Sequence, residues 1–144
     1  MSENEDAEIL LVEDDADEAE LALEALRRCG AADRVARACD GAAALDYIFS
    51  GRGSTVRSPA PRLILLDLKL PKIDGFGVLK RLKSDAAARI IPIVVLTSSK
   101  MDADILKSYQ LGANSYIVKP VDFGEFSEAI ERLGAYWLAL NRGV

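Results

Sequence analysis

The stretch Leu63-Ile64-Leu65-Leu66-Asp67 is an uninterrupted apolar run that closes on a single carboxylate. A short run without polar alternation reads as a strand buried on both faces, the pattern of a parallel sheet covered by helices. Three other runs share its form. Ile9-Leu10-Leu11-Val12 ends in Glu13-Asp14-Asp15, Ile93-Val94-Val95-Leu96 ends in Thr97, and Tyr116-Ile117-Val118 ends in Lys119-Pro120. In a doubly wound α/β sheet, ligand sites lie outside the carboxyl ends of the strands, near the point where strand order reverses. The four endings therefore converge on one pocket of carboxylates, a hydroxyl and an ammonium. Such a set suits a divalent metal and a phosphoryl group.

Stretches of helical period alternate with these runs, as repeated βα units require. Strands are expected over about residues 8–13, 34–39, 62–67, 91–97 and 115–119, and helices near 16–29, 41–50, 75–85, 102–111 and 122–140. Arg34-Val35-Ala36-Arg37-Ala38-Cys39 is the least apolar of the strands and is expected at a sheet edge. Asp15 with Glu18, and Asp122 with Glu125, have the spacing of an N-cap carboxylate and a reciprocal acid. Gly30 and Gly112 stand where a helix C-terminus takes a left-handed glycine. Residues 51–61, rich in glycine, serine and proline, read as a mobile surface loop.

The 144 residues suffice for one domain with a real core. A net charge of -5 argues against general nucleic-acid binding. No apolar run approaches the ~20 residues of a membrane span, and the acidic start Met1-Ser2-Glu3-Asn4-Glu5-Asp6 is unlike a secretory signal. A cytoplasmic protein without membrane contact is expected. Cys29 and Cys39 form no CxxC pair and read as reduced thiols. Histidine is absent. That excludes Ser-His-Asp hydrolases, Cys-His proteases and His-ligated metal sites, and any phosphohistidine must belong to another protein.

Glu13, Asp14 and Asp67 at neighbouring strand ends would repel one another unless a cation lay between them. Hard oxygen donors select Mg²⁺, which shares its shell with waters and a substrate phosphate. Asp67 is also available as a nucleophile, forming an acyl phosphate. Lys119 would neutralise part of the phosphoryl charge and the Thr97 hydroxyl would donate to another oxygen. Each residue alone is unremarkable, but four in consistent order at four strand ends are not.

Together with Leu70-Pro71-Lys72-Ile73-Asp74-Gly75 and Leu96-Thr97-Ser98, these motifs resemble the response-regulator receiver domains of two-component signalling, over about residues 8–140. The resemblance implies a flavodoxin-like fold: one five-stranded parallel sheet of order 2-1-3-4-5 flanked by five helices. Residues 8–144 would be the receiver and residues 1–7 a disordered acidic segment. It makes Asp67 the phosphoacceptor, assisted by Lys119 and Thr97. Asp14 becomes a direct Mg²⁺ ligand beside Asp67, Glu13 acts through water, and the backbone carbonyl of Lys69 supplies a further oxygen. Thr97 and Tyr116 become the switch pair, Thr97 moving toward the phosphoryl group and Tyr116 swinging inward. Pro120 would follow a cis peptide bond.

Shorter stretches, among them Asn114-Ser115-Tyr116, Val121-Asp122-Phe123 and Tyr136-Trp137-Leu138-Ala139-Leu140-Asn141, resemble the single-domain regulators paired with bacterial phytochromes. That narrower likeness implies a phytochrome-type sensor histidine kinase as phosphodonor and a homodimer through the fourth helix, fifth strand and fifth helix. The apolar surface of the last helix, widened by Tyr136, Leu138 and Leu140, agrees with such an interface. No output domain is expected after residue 140, so the signal would leave by protein contact. Lys69 and Ser99, two beyond Asp67 and Thr97, would border the path of the water that hydrolyses the acyl phosphate.

Two alternatives stand beside this switch, which is not an enzyme beyond assisting its own phosphorylation and dephosphorylation. One is a receiver-like binding module that works without phosphorylation. The other is a phosphohydrolase of the haloacid dehalogenase type, which needs a second acid two residues after its nucleophile. Here that position is Lys69.

Overall fold

The computed structural model describes residues 7–30, 34–49 and 55–142. Five parallel strands, β1 (Ile9–Val12), β2 (Val35–Ala38), β3 (Leu63–Leu66), β4 (Ile93–Thr97) and β5 (Ser115–Val118), form one sheet in the order β2-β1-β3-β4-β5. The helices are α1 (Ala16–Arg28), α2 (Gly41–Ile48), α3 (Gly75–Lys83), α4 (Asp102–Gln110) and α5 (Phe123–Ala135). The fold and strand order are those the sequence implies, with β2 at an edge.

Alternation along the strands divides the core in two. Leu10, Val12, Ile64, Leu66, Ile93 and Val95 face α2 and α3, against Ile48, Val78, Leu79 and Leu82. Ile9, Leu11, Leu63, Leu65, Val94 and Leu96 face α1 and α5, against Leu26, Phe126, Ile130 and Leu133. Burial on both faces is why β1, β3 and β4 read as unbroken apolar runs. Ala7, within the segment expected to be disordered, is instead buried, and its N–H donates to the Tyr47 hydroxyl at 3.3 Å. Residues 1–6 lie outside the described residues.

Several boundaries follow local chemistry. Asp15 caps α1 by accepting from the Asp17 and Glu18 N–H groups, and Asp122 caps α5 by accepting from Glu125. Gly30 and Gly112 take φ values of 83° and 107° after α1 and α4. β4 begins at Ile93 rather than residue 91 because Pro92 has no N–H for the ladder, and a short 3₁₀ turn, Ala88–Ile90, precedes it. The expected helix 122–140 stops being α-helical at Ala135. Tyr136–Leu140 widen into a π-helical turn, closed by the Asn141 N–H on the Tyr136 carbonyl at 2.7 Å. Residues 50–54 of the expected loop lie outside the described residues.

The bond expected to be cis, Lys119–Pro120, is trans; among the described residues the cis bond is Ser58–Pro59. Trans is the lower-energy isomer for X–Pro by about 0.5–1 kcal/mol, and from it the Lys119 side chain already reaches the carboxylates described next.

Candidate functional site

Register brings the strand ends together. Val12 pairs with Leu66, so Glu13 and Asp67 leave adjacent strands side by side, and the Asp67 N–H donates to the Val12 carbonyl at 3.2 Å. Thr97 pairs with Val118, and the Lys119 N–H donates to the Thr97 carbonyl at 2.7 Å. Glu13, Asp67 and Thr97 are buried, whereas Asp14 is exposed. A carboxylate oxygen from each of Glu13, Asp14 and Asp67 lies within 4.8 Å of the others.

Lys119 enters this cluster with its side chain only 8% exposed. Its Nζ donates to Glu13 Oε1 at 2.7 Å, Glu18 Oε1 at 2.8 Å and Asp67 Oδ2 at 3.2 Å. Burial alone would push the ammonium pKa down, but the hydrogen bonds to Glu13 and Glu18 and the Asp67 charge outweigh it, so Lys119 stays charged beyond the ordinary lysine range. Burial pushes the Glu13 carboxyl up, against the opposing pull of Lys119. Glu13, Glu18 and Asp67 thus share one cation, with Asp14 beside them. Hard carboxylate donors with surplus negative charge fit a divalent ion such as Mg²⁺.

Two close approaches shape the site. Gly75 opens α3 directly against the Asp67 backbone: a Cβ there would meet the Asp67 carbonyl oxygen at 2.4 Å and Leu68 Cα at 2.5 Å. The Lys69 N–H turns back toward Asp67 Oδ1 at 3.4 Å. Lys69 and Ser99 both border an open cleft of about 470 Å³ beside the acids, with Asp14, Leu68, Phe76 and Asp104. No second acid stands where a phosphohydrolase needs one.

Ser99 links Thr97 to Tyr116. Its N–H reaches Thr97 Oγ1 at 3.5 Å, its carbonyl accepts from the Tyr116 hydroxyl at 3.0 Å, and its Oγ donates to Asp104 Oδ2 at 2.6 Å. Tyr116 is half-buried, and burial pushes its phenol pKa up. Sequence reasoning missed three contributors. Glu18, read as a reciprocal capping acid, spends its carboxylate on Lys119 instead. Asp104 anchors Ser99 to α4. Arg37, which read only as a polar residue of an edge strand, reaches the Glu13 and Asp14 carbonyls.

The model of the response regulator receiver domain matches residues 9–131. The chain belongs to this family. It is a receiver domain of two-component signalling, and the strand order and acidic cluster are in place for it.

Among curated relatives of this receiver, the probable methanogenesis regulatory protein FilR2 of Methanothrix harundinacea is 43% identical over 136 residues, covering 93% of this chain and 85% of that protein. Response regulator Rcp1 of Synechocystis is 36% identical over 130 residues, covering 90% and 88%. The phosphorylated cyanobacterial phytochrome response regulator RcpA superposes with a TM-score of 0.86 at 36% identity, over 94% of this chain and 96% of that one. The Mn²⁺-bound form of Rcp1 gives 0.83 at 33% identity, over 94% and 97%. The bacteriophytochrome response regulator AtBRR gives 0.68 at 48% identity, over 93% and 96%. These relatives are matched over most of their length.

Proposed function

We propose that the receiver takes a phosphoryl group onto Asp67 from the phosphohistidine of a sensor histidine kinase and reports it through the edge formed by α4, β5 and α5. The observation that carries this reading is the buried Asp67 carboxylate at the tip of β3, held by Lys119 at 3.2 Å within a cluster of acids. An Asp67 oxygen attacks phosphorus as the P–N bond of the donor breaks, and the released imidazole takes its proton from solvent. Lys119 Nζ exchanges carboxylate partners for phosphoryl oxygens, and the Thr97 hydroxyl donates to another.

Glu13, Asp14, Asp67 and the Lys69 carbonyl are the groups that would hold Mg²⁺, Glu13 through water. When bound, the ion offsets negative charge on the acids and the transferring group. The Mn²⁺-bound relative Rcp1 supports a divalent cation here. Movement of Thr97 pulls on Ser99, and Ser99 carries the change to Tyr116 and to Asp104 on α4. Phosphorylation thereby shifts the population of an accessible conformation.

The likeness to RcpA and AtBRR supports a phytochrome-type kinase as donor. A homodimer through α4, β5 and α5 is supported by exposed Leu106, Tyr109, Tyr136 and Leu140 on these elements and the turn after α5. Among the described residues no helix is long and apolar enough to cross a membrane.

Acyl-phosphate formation from a small phosphodonor, with and without Mg²⁺, tests the reading. Labelling should require Mg²⁺ and vanish in Asp67→Asn. Equal labelling of the variant would place the acceptor elsewhere, and no labelling of the natural chain would leave a binding module.

A further inference from the structure

We propose that Arg37 is a positioning residue for the metal site: its guanidinium grips the backbone of the Glu13–Asp14 turn from the edge strand and aims the two carboxylates at the cation. The inference rests on the reading that these acids and Asp67 hold Mg²⁺. Arg37 pairs in register with Leu11, two residues before the turn begins. Its Nε and Nη2 both donate to the Glu13 carbonyl, at 3.1 and 2.9 Å, and Nη2 also reaches the Asp14 carbonyl at 3.3 Å.

Glu13 and Asp14 alone bridge the end of β1 at Val12 and the α1 cap at Asp15. The turn is also tied by the Glu13 N–H on the Ala38 carbonyl and the Asp15 N–H on Glu13 Oε2, each at 3.1 Å. Asp14 is exposed, so packing does not aim its side chain. Its direction follows the peptide planes on either side, and those are the planes whose carbonyls Arg37 holds. A planar fork with several donors suits this task where a lysine ammonium does not.

The sign of the effect separates grip from charge. A nearby guanidinium repels a dication, so an Arg37 acting through its field alone would tighten Mg²⁺ binding when removed. A gripping Arg37 would loosen it. Removing groups that orient metal ligands typically weakens affinity by roughly ten- to a hundredfold.

Calorimetric Mg²⁺ titrations of the full chain should therefore compare the natural protein with Arg37→Gln and Arg37→Lys, with unfolding midpoints recorded without Mg²⁺. The expected result is a Kd raised about tenfold in Arg37→Gln, and raised in Arg37→Lys, which keeps the charge but loses the fork. The Mg²⁺ concentration giving half-maximal Asp67 labelling should rise in parallel. A lowered midpoint with an unmoved Kd, or a tighter Kd, would overturn the proposal. If Arg37→Gln fails to fold, a natural Kd in Arg37→Lys overturns it equally. Failure of the natural chain to bind Mg²⁺ would overturn the metal reading itself, and this inference with it, a result distinct from equal binding by all chains.

Discussion

The two helices that follow the loops framing Asp67, α1 and α4, are held to very different degrees. On one side, Glu13 and Asp14 are clasped by Arg37 and run into α1, whose cap Asp15 accepts two N–H groups and whose Ala19, Ala22, Ala25 and Leu26 are buried. On the other, Ser98–Met101 lead into α4, which has no side-chain cap and buries only Ser108. Met101, Leu106 and Tyr109 of that region are 64%, 59% and 49% exposed. Few buried contacts and a bare terminus mark a segment of low local stability. The acids that would hold the metal ion sit on the fixed side, and the groups that would report phosphorylation sit on the loose side. A switch needs both.

The largest effect should come from the fixed side. Lys119→Met leaves Glu13, Glu18 and Asp67 without their cation and should cost roughly 2–3 kcal/mol at neutral pH by urea unfolding without Mg²⁺. The pH dependence follows by sign. In the natural chain the Lys119 pKa is raised on folding, so its contribution is full at neutral pH and is lost only as pH rises past the ordinary lysine range. In Lys119→Met the Glu13 carboxyl, which burial already raises, loses the opposing pull of the ammonium, so stability should instead fall as pH climbs from acid to neutral. A flat profile would mean that burial does not hold the Glu13 proton in the folded chain.

Gly75→Ala should follow, costing about 1–3 kcal/mol because its Cβ collides with backbone rather than with a movable side chain. Since the collision is with the Asp67 carbonyl, labelling should slow as well. A stable variant with natural labelling would show that the Asp67 backbone tolerates displacement.

A smaller change sharpens the contrast. Met101 has the extended backbone of an N-cap, φ -70° and ψ 127°, but no side-chain acceptor. Met101→Ser should stabilise α4 by about 0.5–1 kcal/mol and slow its amide exchange, while Asp15→Ala should destabilise α1 by about 1 kcal/mol. Equal responses would erase the difference between the two sides. The mildest expectation concerns acid. Burial raises the Glu13 carboxyl, so protons should compete with Mg²⁺ beginning at a pH above the ordinary glutamate range, with Kd rising as pH falls.

Much of this was legible because the strands are buried on both faces. Continuous runs such as Leu63–Leu66 announce themselves, and polar residues at their ends stand out. What stayed hidden depends on side chains that cross between elements. Arg37 lies on the least apolar strand, where its polarity read as edge exposure, and only the β1–β2 register shows that it reaches the next turn. Glu18 fitted a capping pattern, yet Lys119 sits closer to hand. The end of α5 misled because Tyr136–Leu140 keep a helical spacing of apolar residues while the backbone widens to a π turn, with the Arg62 guanidinium donating to the Leu138 carbonyl at 2.9 Å.

Hydrogen exchange on the Mg²⁺-loaded protein, with and without beryllium fluoride as an acyl-phosphate mimic, would test the division of labour most directly. Changes in protection should concentrate in residues 98–118, spanning the β4–α4 loop, α4 and β5, with the β1–α1 turn and α1 unmoved. Changes in α1 as large as those in α4 would contradict it.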